Sequence, residues 1–366
     1  MEASTLSKLY ALDGPFTTIY LDTHSDVEDA AEQLEIRWKN VVRELEESGV
    51  DAATIEALSA ARGEHGRGNT RVLVAAHGVV HLAISLPQPP PRDEVAIGNL
   101  PRLVPLVDAL GLQLPHVVVL ADRKGADILA YTAGPDPDES ASVTNDRFPD
   151  RKVHAGGWAA KRYSNDVEET WEASARDVAE VVDRIARDVD ARLVLASGDE
   201  RALQLLGQHL PTPLVDRYVT IAGGGRHEDG SDELIADEVL RVLGETIAAD
   251  TVELLEDFAQ ERGQNDRAAE GADAVLAALR KGQVATLILT DIRDQARTAF
   301  FGPDPTHVAL TATELIDLGV EQPWEGPLDE IAVRAALGTG AAVKFVGGGM
   351  EQAPAEGIGA LLRYSD

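Results

Sequence analysis

Between residues 147 and 163 the chain gathers the side chains best suited to holding a polyanion. Arg147, Arg151, Lys152, Lys161 and Arg162 are cationic and Asp150 is the one acid; five minus one gives a net of +4, in a chain whose formal net charge is −30. Trp158 and Tyr163 lie among those cations, and His154 adds an imidazole. Arg and Lys hold phosphates and aromatic rings stack on unpaired bases, so the combination suits folded or single-stranded RNA. Gly156 and Gly157 stand directly before Trp158. Two adjacent glycines let the backbone take φ > 0 and pass close to another surface, so residues 154–163 read as a projecting turn with a helical root. The plainer alternative is that the glycine pair only starts a helix and the cations offset neighbouring acids.

Other chemistries find little support. With no cysteine among 366 residues, disulfides, thiolate metal sites and cysteine nucleophiles are excluded. The nine histidines are scattered and form no His-Glu-x-x-His pattern, so no metal site is expected. The glycines at 223–225 and 347–349 lack the strand-to-helix spacing of a nucleotide-binding loop, so no cofactor is expected. Ala196-Ser197-Gly198 is not a nucleophile elbow, and Ser197 reads as a strand-end or helix-cap residue. Sixty-three acidic against 33 basic side chains argue against sequence-blind DNA binding, which relies on clustered cations. Any nucleic-acid contact must be local and shaped. No apolar run approaches the ~20 residues that span a bilayer, and no signal peptide is visible, so a soluble cytoplasmic protein is expected.

Hydrophobic residues at 44% and charged residues at 26% describe a globular chain, and aromatics at 4% leave the cores to aliphatic side chains. The patterning predicts a mixed α/β architecture in three domains: 1–114, 115–249 and 250–366. In the first, a strand over 16–21 precedes a helix capped by Ser25 or Asp26, whose apolar stripe is Val27, Ala31, Leu34, Trp38, Val41 or Val42, and Leu45. A helix over 52–61 and a hairpin turning at His77-Gly78 follow. The second opens with a hairpin, 116–121 and 126–132, around Asp122-Arg-Lys-Gly125. A long loop over 134–150 leads to the glycine pair. The helix beyond carries Tyr163, Val167, Trp171, Ala175, Val178, Val182, Ile185 and Val189 at three- and four-residue steps, one apolar face on a charged rod. A strand over 192–196, a helix over 198–210, a strand over 213–218, a hinge-like stretch at 223–231 and a helix from 231 to 260 complete it. The third alternates a helix capped by Asp266 and reaching Lys281, strands at 284–290 and 306–310, a helix at 328–337, and strands at 341–346 and 357–363.

These residues carry a resemblance. Gly156-Gly-Trp-Ala-Ala-Lys-Arg-Tyr163 followed by a long helix resembles the middle domain of the archaeal and eukaryotic class-I peptide-release factors. There a Gly-Gly-Gln tip precedes a small residue, an Arg-aromatic pair and a similar helix. The hairpin at Asp122–Gly125 is similar to theirs. Residues 271–290 resemble the helix–strand unit of their C-terminal domain, of the ribosomal-protein L7Ae type, and 357–364 resemble its closing strand, above all in Pelota. The resemblance covers residues 115–366. The first 114 residues are loosely similar to a bacterial branch that includes hibernation factors of the Balon kind.

The resemblance implies a factor that occupies the ribosomal A site beside a translational GTPase, elongation factor Tu in bacteria, to silence or rescue the ribosome. Gly156, Gly157 and Trp158 would approach the peptidyl-transferase centre, and Arg151, Lys152, Lys161 and Arg162 would contact rRNA phosphates. Where release factors have Gln, this chain has Trp158. An indole offers one N–H donor and no carbonyl acceptor, so it cannot copy an amide. Peptide release is therefore expected to be lost or weak while placement in the A site is kept, and no catalytic residue is assigned. The alternatives are a peptidyl-tRNA hydrolase or tRNA-cleaving relative, and a stress-related protein with no ribosome contact.

Overall fold

The computed structural model of the chain describes residues 3–24, 30–63, 69–86, 88, 90, 92–122, 124–132, 137–144, 158–224, 232–264, 267–290 and 297–365, with the backbone alone at 3–4, 158–170 and 232. The architecture is mixed α/β and divides into two compact units, Gln113–Ala248, and Met1–Leu112 together with Ala249–Asp366.

In the Gln113–Ala248 unit a five-stranded sheet runs in the order Glu139–Thr144, Gly125–Tyr131, His116–Asp122, Leu193–Gly198, Tyr218–Thr220. The first three strands are antiparallel and the last three are parallel. Strand side chains alternate in direction, and both faces here are apolar. Val117, Val119, Val194 and Ala196 join Val178, Val182 and Ile185 of the helix Trp158–Asp188 and Leu203 and Leu206 of the helix Glu200–His209. Val118, Leu193 and Leu195 face Ile235, Val239 and Val242, from the N-terminal half of the helix Asp232–Gln264.

The other unit holds two four-stranded sheets and a three-stranded one. The first sheet is antiparallel, ordered Val79–Leu86, Thr70–Ala76, Phe16–Asp22, Glu94–Gly98. Its hairpin turns on His77 and Gly78 at φ 51 and 77, the left-handed pair that a two-residue loop needs. Ile19, Leu21, Leu73 and Ala75 pack on Leu34, Trp38, Val41, Leu45 and Leu58 of the helices Ala30–Glu47 and Ala52–Ala61. The opposite face, with Phe16, Tyr20, Val72 and Val74, shares one core with Leu6, Leu9, Leu103 and Leu106 and with Val275, Leu279, Leu287 and Ile331 of the C-terminal segment. There the sheet order is Ala268–Glu270, Ile358–Leu362, Val284–Thr290, Ala342–Val346, and the helices Ala272–Arg280 and Leu328–Gly338 pack on it. No described helix is long and apolar enough to cross a membrane.

Several sequence expectations are corrected. Within the expected loop 134–150, Glu139–Thr144 is an edge strand whose burial alternates residue by residue; its Ser and Thr content hid a half-exposed strand. Within 213–218, Thr212–Val215 is a short helix with proline in its first turn, and the strand is Tyr218–Thr220. The helix expected to be capped by Asp266 starts at Ala272, after the strand Ala268–Glu270; Asp266 itself lies outside the described residues. Ala31 is exposed and Ala30 fills its place in the stripe, while Val27, Ser25 and Asp26 lie outside the described residues. The helices Ala3–Tyr10 and Val104–Gly111 and the strand Glu94–Gly98 were not expected from patterning at all.

Candidate functional site

The helix Trp158–Asp188 organises the central unit, and its root is where the sequence decides its position. Ala175, Val178, Ala179, Val182, Ile185 and Ala186 are all buried and recur at the spacing of one helix face. Removing six such side chains from water is worth on the order of 1.5–3 kcal/mol for each large one, ample to fix the axis on the sheet. The other face is charged and locally neutralised. Arg184 Nη1 donates to Glu139 at 2.9 Å and to Asp188 at 3.1 Å, and Arg187 pairs with Asp183 one turn back. The Arg184 guanidinium is pushed above its ordinary value by these hydrogen bonds.

Charge is polarised along this helix. Lys161 and Arg162 are its first charged residues and its first turn holds no acid, whereas Asp166, Glu168, Glu169 and Glu172 follow. A helix N-terminus carries about half a positive charge and ordinarily attracts acidic side chains. Here the sequence puts two cations and no acid at that end. Positions 158, 161 and 162 are related by three and four residues and share one helix face. At 1.5 Å per residue, about 24 Å of helix separates Trp158 from Ser174, the first buried residue among its described side chains.

The carboxyl ends of the parallel strands meet this helix. Asp122 accepts from the backbone N–H of Lys124 at 2.7 Å and of Gly125 at 2.9 Å, which closes the expected hairpin. Gly198 has φ 137, and a Cβ there would stand 1.8 Å from the Ala121 carbonyl oxygen, so only glycine lets the two strands finish side by side. Asp199 caps the next helix through the N–H groups of Arg201 and Ala202. A narrow cleft lined by Ala121, Asp122, Gly125, Ser174 and Leu205 opens at this edge. Ser197 is a strand-end residue, as expected, and its Oγ donates to the Gly224 carbonyl at 3.0 Å. The described part of the hinge-like stretch is therefore pinned: a Cβ on Gly223 would come within 2.6 Å of Ile235 Cγ1. Sequence reasoning missed this contact and the cleft, because both depend on pairings distant in sequence.

His116 is buried at the other end of the sheet, stacked on Tyr131 with ring centroids 5.0 Å apart and Nδ1 2.7 Å from the Leu114 carbonyl oxygen. Burial depresses its pKa, and the Leu114 contact opposes that only in part. Burial likewise pushes the Tyr218 hydroxyl up to about 12. Neither residue is on the helix Trp158–Asp188.

Of the candidate residues, Trp158, Lys161, Arg162 and Tyr163 fall together in the first two turns of the helix. Arg147, Arg151, Lys152, His154, Gly156 and Gly157 lie outside the described residues. Among the described residues no three His, Asp or Glu side chains converge as a metal site.

Residues 115–264, which span this sheet, its helices and the long helix after it, match the family described as bacterial archaeo-eukaryotic release factor family 2. This segment is thus similar to bacterial members of the archaeo-eukaryotic release-factor group. An uncharacterized protein of Mycobacterium tuberculosis strain H37Rv, Rv2629, is 29% identical over 374 residues, covering 100% of this chain and 97% of its own. Among solved structures, superposition over the whole chain is loose. Archaeal Pelota, from a model of it bound to the ribosome with ABCE1, gives a TM-score of 0.42 at 16% identity, covering 99% of this chain and 94% of its own. Archaeoglobus fulgidus Pelota gives 0.35 at 16% identity, covering 81% and 80%. The helix Trp158–Asp188 lies inside the matched segment, with Trp158 as its first residue.

Proposed function

We propose that the chain is a ribosome-binding factor of release-factor type that enters the A site with its central unit and silences or rescues the ribosome without releasing peptide. The observation that carries this is the match of residues 115–264 to a release-factor family. The charge polarity of the helix Trp158–Asp188 supports it, since an end bearing Lys161 and Arg162 suits rRNA phosphate while the acidic remainder of the chain discourages indiscriminate contact. In this reading Arg147, Arg151, Lys152, Lys161 and Arg162 hold the phosphate backbone, His154 and Tyr163 add stacking or polar contacts, and Gly156-Gly157 carries Trp158 towards the peptidyl-transferase centre. An indole supplies one donor and no acceptor, so Trp158 fills space and stacks rather than orienting a water. Elongation factor Tu is the proposed escort.

Co-sedimentation with bacterial ribosomes over a salt series tests the proposal. The full chain should pellet with ribosomes at low salt, and Lys161→Glu with Arg162→Glu should flatten the salt dependence. Loss of two phosphate contacts lowers the log–log slope by about 1.4–1.8. A parallel turnover assay on peptidyl-tRNA should give no release by the wild type. Absence of binding at low salt contradicts the proposal, and multiple-turnover release would replace it with the hydrolase alternative.

A further inference from the structure

The most concentrated group of buried ionisable side chains lies away from the release-factor segment, where residues 1–112 meet the C-terminal segment inside one compact unit. Asp329 and Glu330, in the first turn of the helix Leu328–Gly338, are 6% and 1% exposed. Arg102 Nη1 donates to both, at 2.9 Å each, and its Nε lies 3.5 Å from Glu94 Oε1. One guanidinium thus stands among three carboxylates.

Among the described residues, every other hydrogen bond to the Glu330 carboxylate crosses from the N-terminal segment, while its backbone N–H donates to Asp329 Oδ1 at 2.9 Å. Its Oε2 accepts from Tyr10 Oη at 2.9 Å and from the Leu103 N–H at 3.0 Å, and its Oε1 accepts from the Val104 N–H at 2.8 Å. Tyr20 stands behind these groups, with its hydroxyl donating to the Arg102 carbonyl at 2.8 Å and accepting from the Leu106 N–H at 3.2 Å. Arg334, one turn further along the same helix, is committed to the carbonyls of Gly302, Pro303 and Asp304. The charged and titratable groups around Glu330 are therefore Arg102, Asp329, Glu94, Tyr10 and Tyr20, with the still-charged Arg334 beyond Tyr10.

We propose that this joint is a proton-operated clasp: uptake of one proton from solvent by the Glu330 carboxylate tightens the N-terminal sheet onto the C-terminal layer, and its release to solvent loosens them. Two adjacent buried carboxylates, Asp329 and Glu330, sharing the one Arg102 guanidinium in a water-poor site are the driving force. The Tyr10 hydroxyl provides the switch, because it can turn from donating to Glu330 Oε2 to accepting from it once that oxygen is protonated.

Burial pushes the Glu330 carboxyl up to about 7; Arg102 opposes the shift and Asp329 adds to it. Tyr10 and Tyr20 are raised by burial and stay protonated throughout this range. In the opened joint Glu330 meets water and titrates near its ordinary value of about 4.3. The closed form therefore binds the extra proton between those two values. The added stability is complete below the ordinary carboxylate range and is lost as pH rises through about 7. Between pH 6 and pH 8 the opening constant should rise about tenfold.

Hydrogen–deuterium exchange of the Leu103 and Val104 amides in the full chain reads this directly, after correction for the chemical exchange rate. Wild-type protection should fall about tenfold from pH 6 to pH 8. Glu330→Gln, a neutral isostere, should lose that dependence, and Asp329→Asn should move its midpoint to lower pH. Should Glu330→Gln fail to fold, the wild-type titration and the Asp329→Asn midpoint decide. Equal wild-type protection at the two pH values, a pH dependence kept in Glu330→Gln, or an unmoved midpoint in Asp329→Asn would each overturn the clasp.

Discussion

Truncating Ile185 to alanine asks whether the long helix of the release-factor segment is held by its root. Ile185 is fully buried and shares its cluster with Val117, Val119, Ile128 and Val182, on the sheet face that the helix covers. Removing an aliphatic side chain to alanine in a core costs about 2–5 kcal/mol, the upper half of the range applying where the walls cannot collapse. Here one wall is a five-stranded sheet and the other a 31-residue helix, both tied by their own backbone hydrogen bonds. We therefore expect about 3–4 kcal/mol, or ~10 °C in melting temperature for a unit of this size. Amide exchange of the strand His116–Asp122, followed across a urea series in the full chain, localises the loss to this unit. Glu180→Ala on the exposed face is the control and should stay within about 0.5 kcal/mol. A loss below about 1 kcal/mol for Ile185→Ala would refute the reasoning, since the helix would then be positioned by something other than its buried face.

Gly198→Ala should cost at least ~2 kcal/mol, read by the same exchange experiment, because its Cβ would collide with the Ala121 carbonyl oxygen across the parallel strand pair. The central unit should also weaken in mild acid. Burial holds the His116 pKa below its ordinary value, so the unfolded chain takes up the proton first. The stability His116 contributes is present above about pH 6.5 and is lost as pH falls through the depressed value. His116→Phe, which keeps a ring against Tyr131, should remove that acid sensitivity in the His116–Asp122 amides. This slope is opposite in sign to the one expected at Glu330, so the two units should respond to acid in opposite directions.

What the sequence made legible follows from the range of the interactions involved. The helix Ala52–Ala61 is capped locally by Asp51, and the expected range coincides with the observed one. Val178, Val182 and Ile185 announced their burial through three- and four-residue spacing, and all three are buried. The strand Glu139–Thr144 was not legible because its identity comes from pairing with Gly125–Tyr131 rather than from apolar content. The helix Asp232–Gln264 was visible as an element, yet Ile235 and Phe258 serve the cores of two different units, which no local pattern encodes. The Glu330 cluster was invisible for the same reason: Tyr10, Arg102 and Glu330 are brought together across more than 200 residues of chain. At the candidate site, the cations and Trp158 stood out by composition alone, and the structure added the helical start that groups Trp158, Lys161 and Arg162 on one face.

The proposed function requires Trp158 to reach the peptidyl-transferase centre when the protein meets a ribosome. A photo-crosslinking amino acid at position 158, in the full chain bound to bacterial ribosomes, measures this directly. The prediction is a cross-link to large-subunit rRNA at the peptidyl-transferase centre, lost when the A site is filled by tRNA. Cross-links confined to ribosomal proteins at the periphery, or undiminished by A-site tRNA, would contradict it.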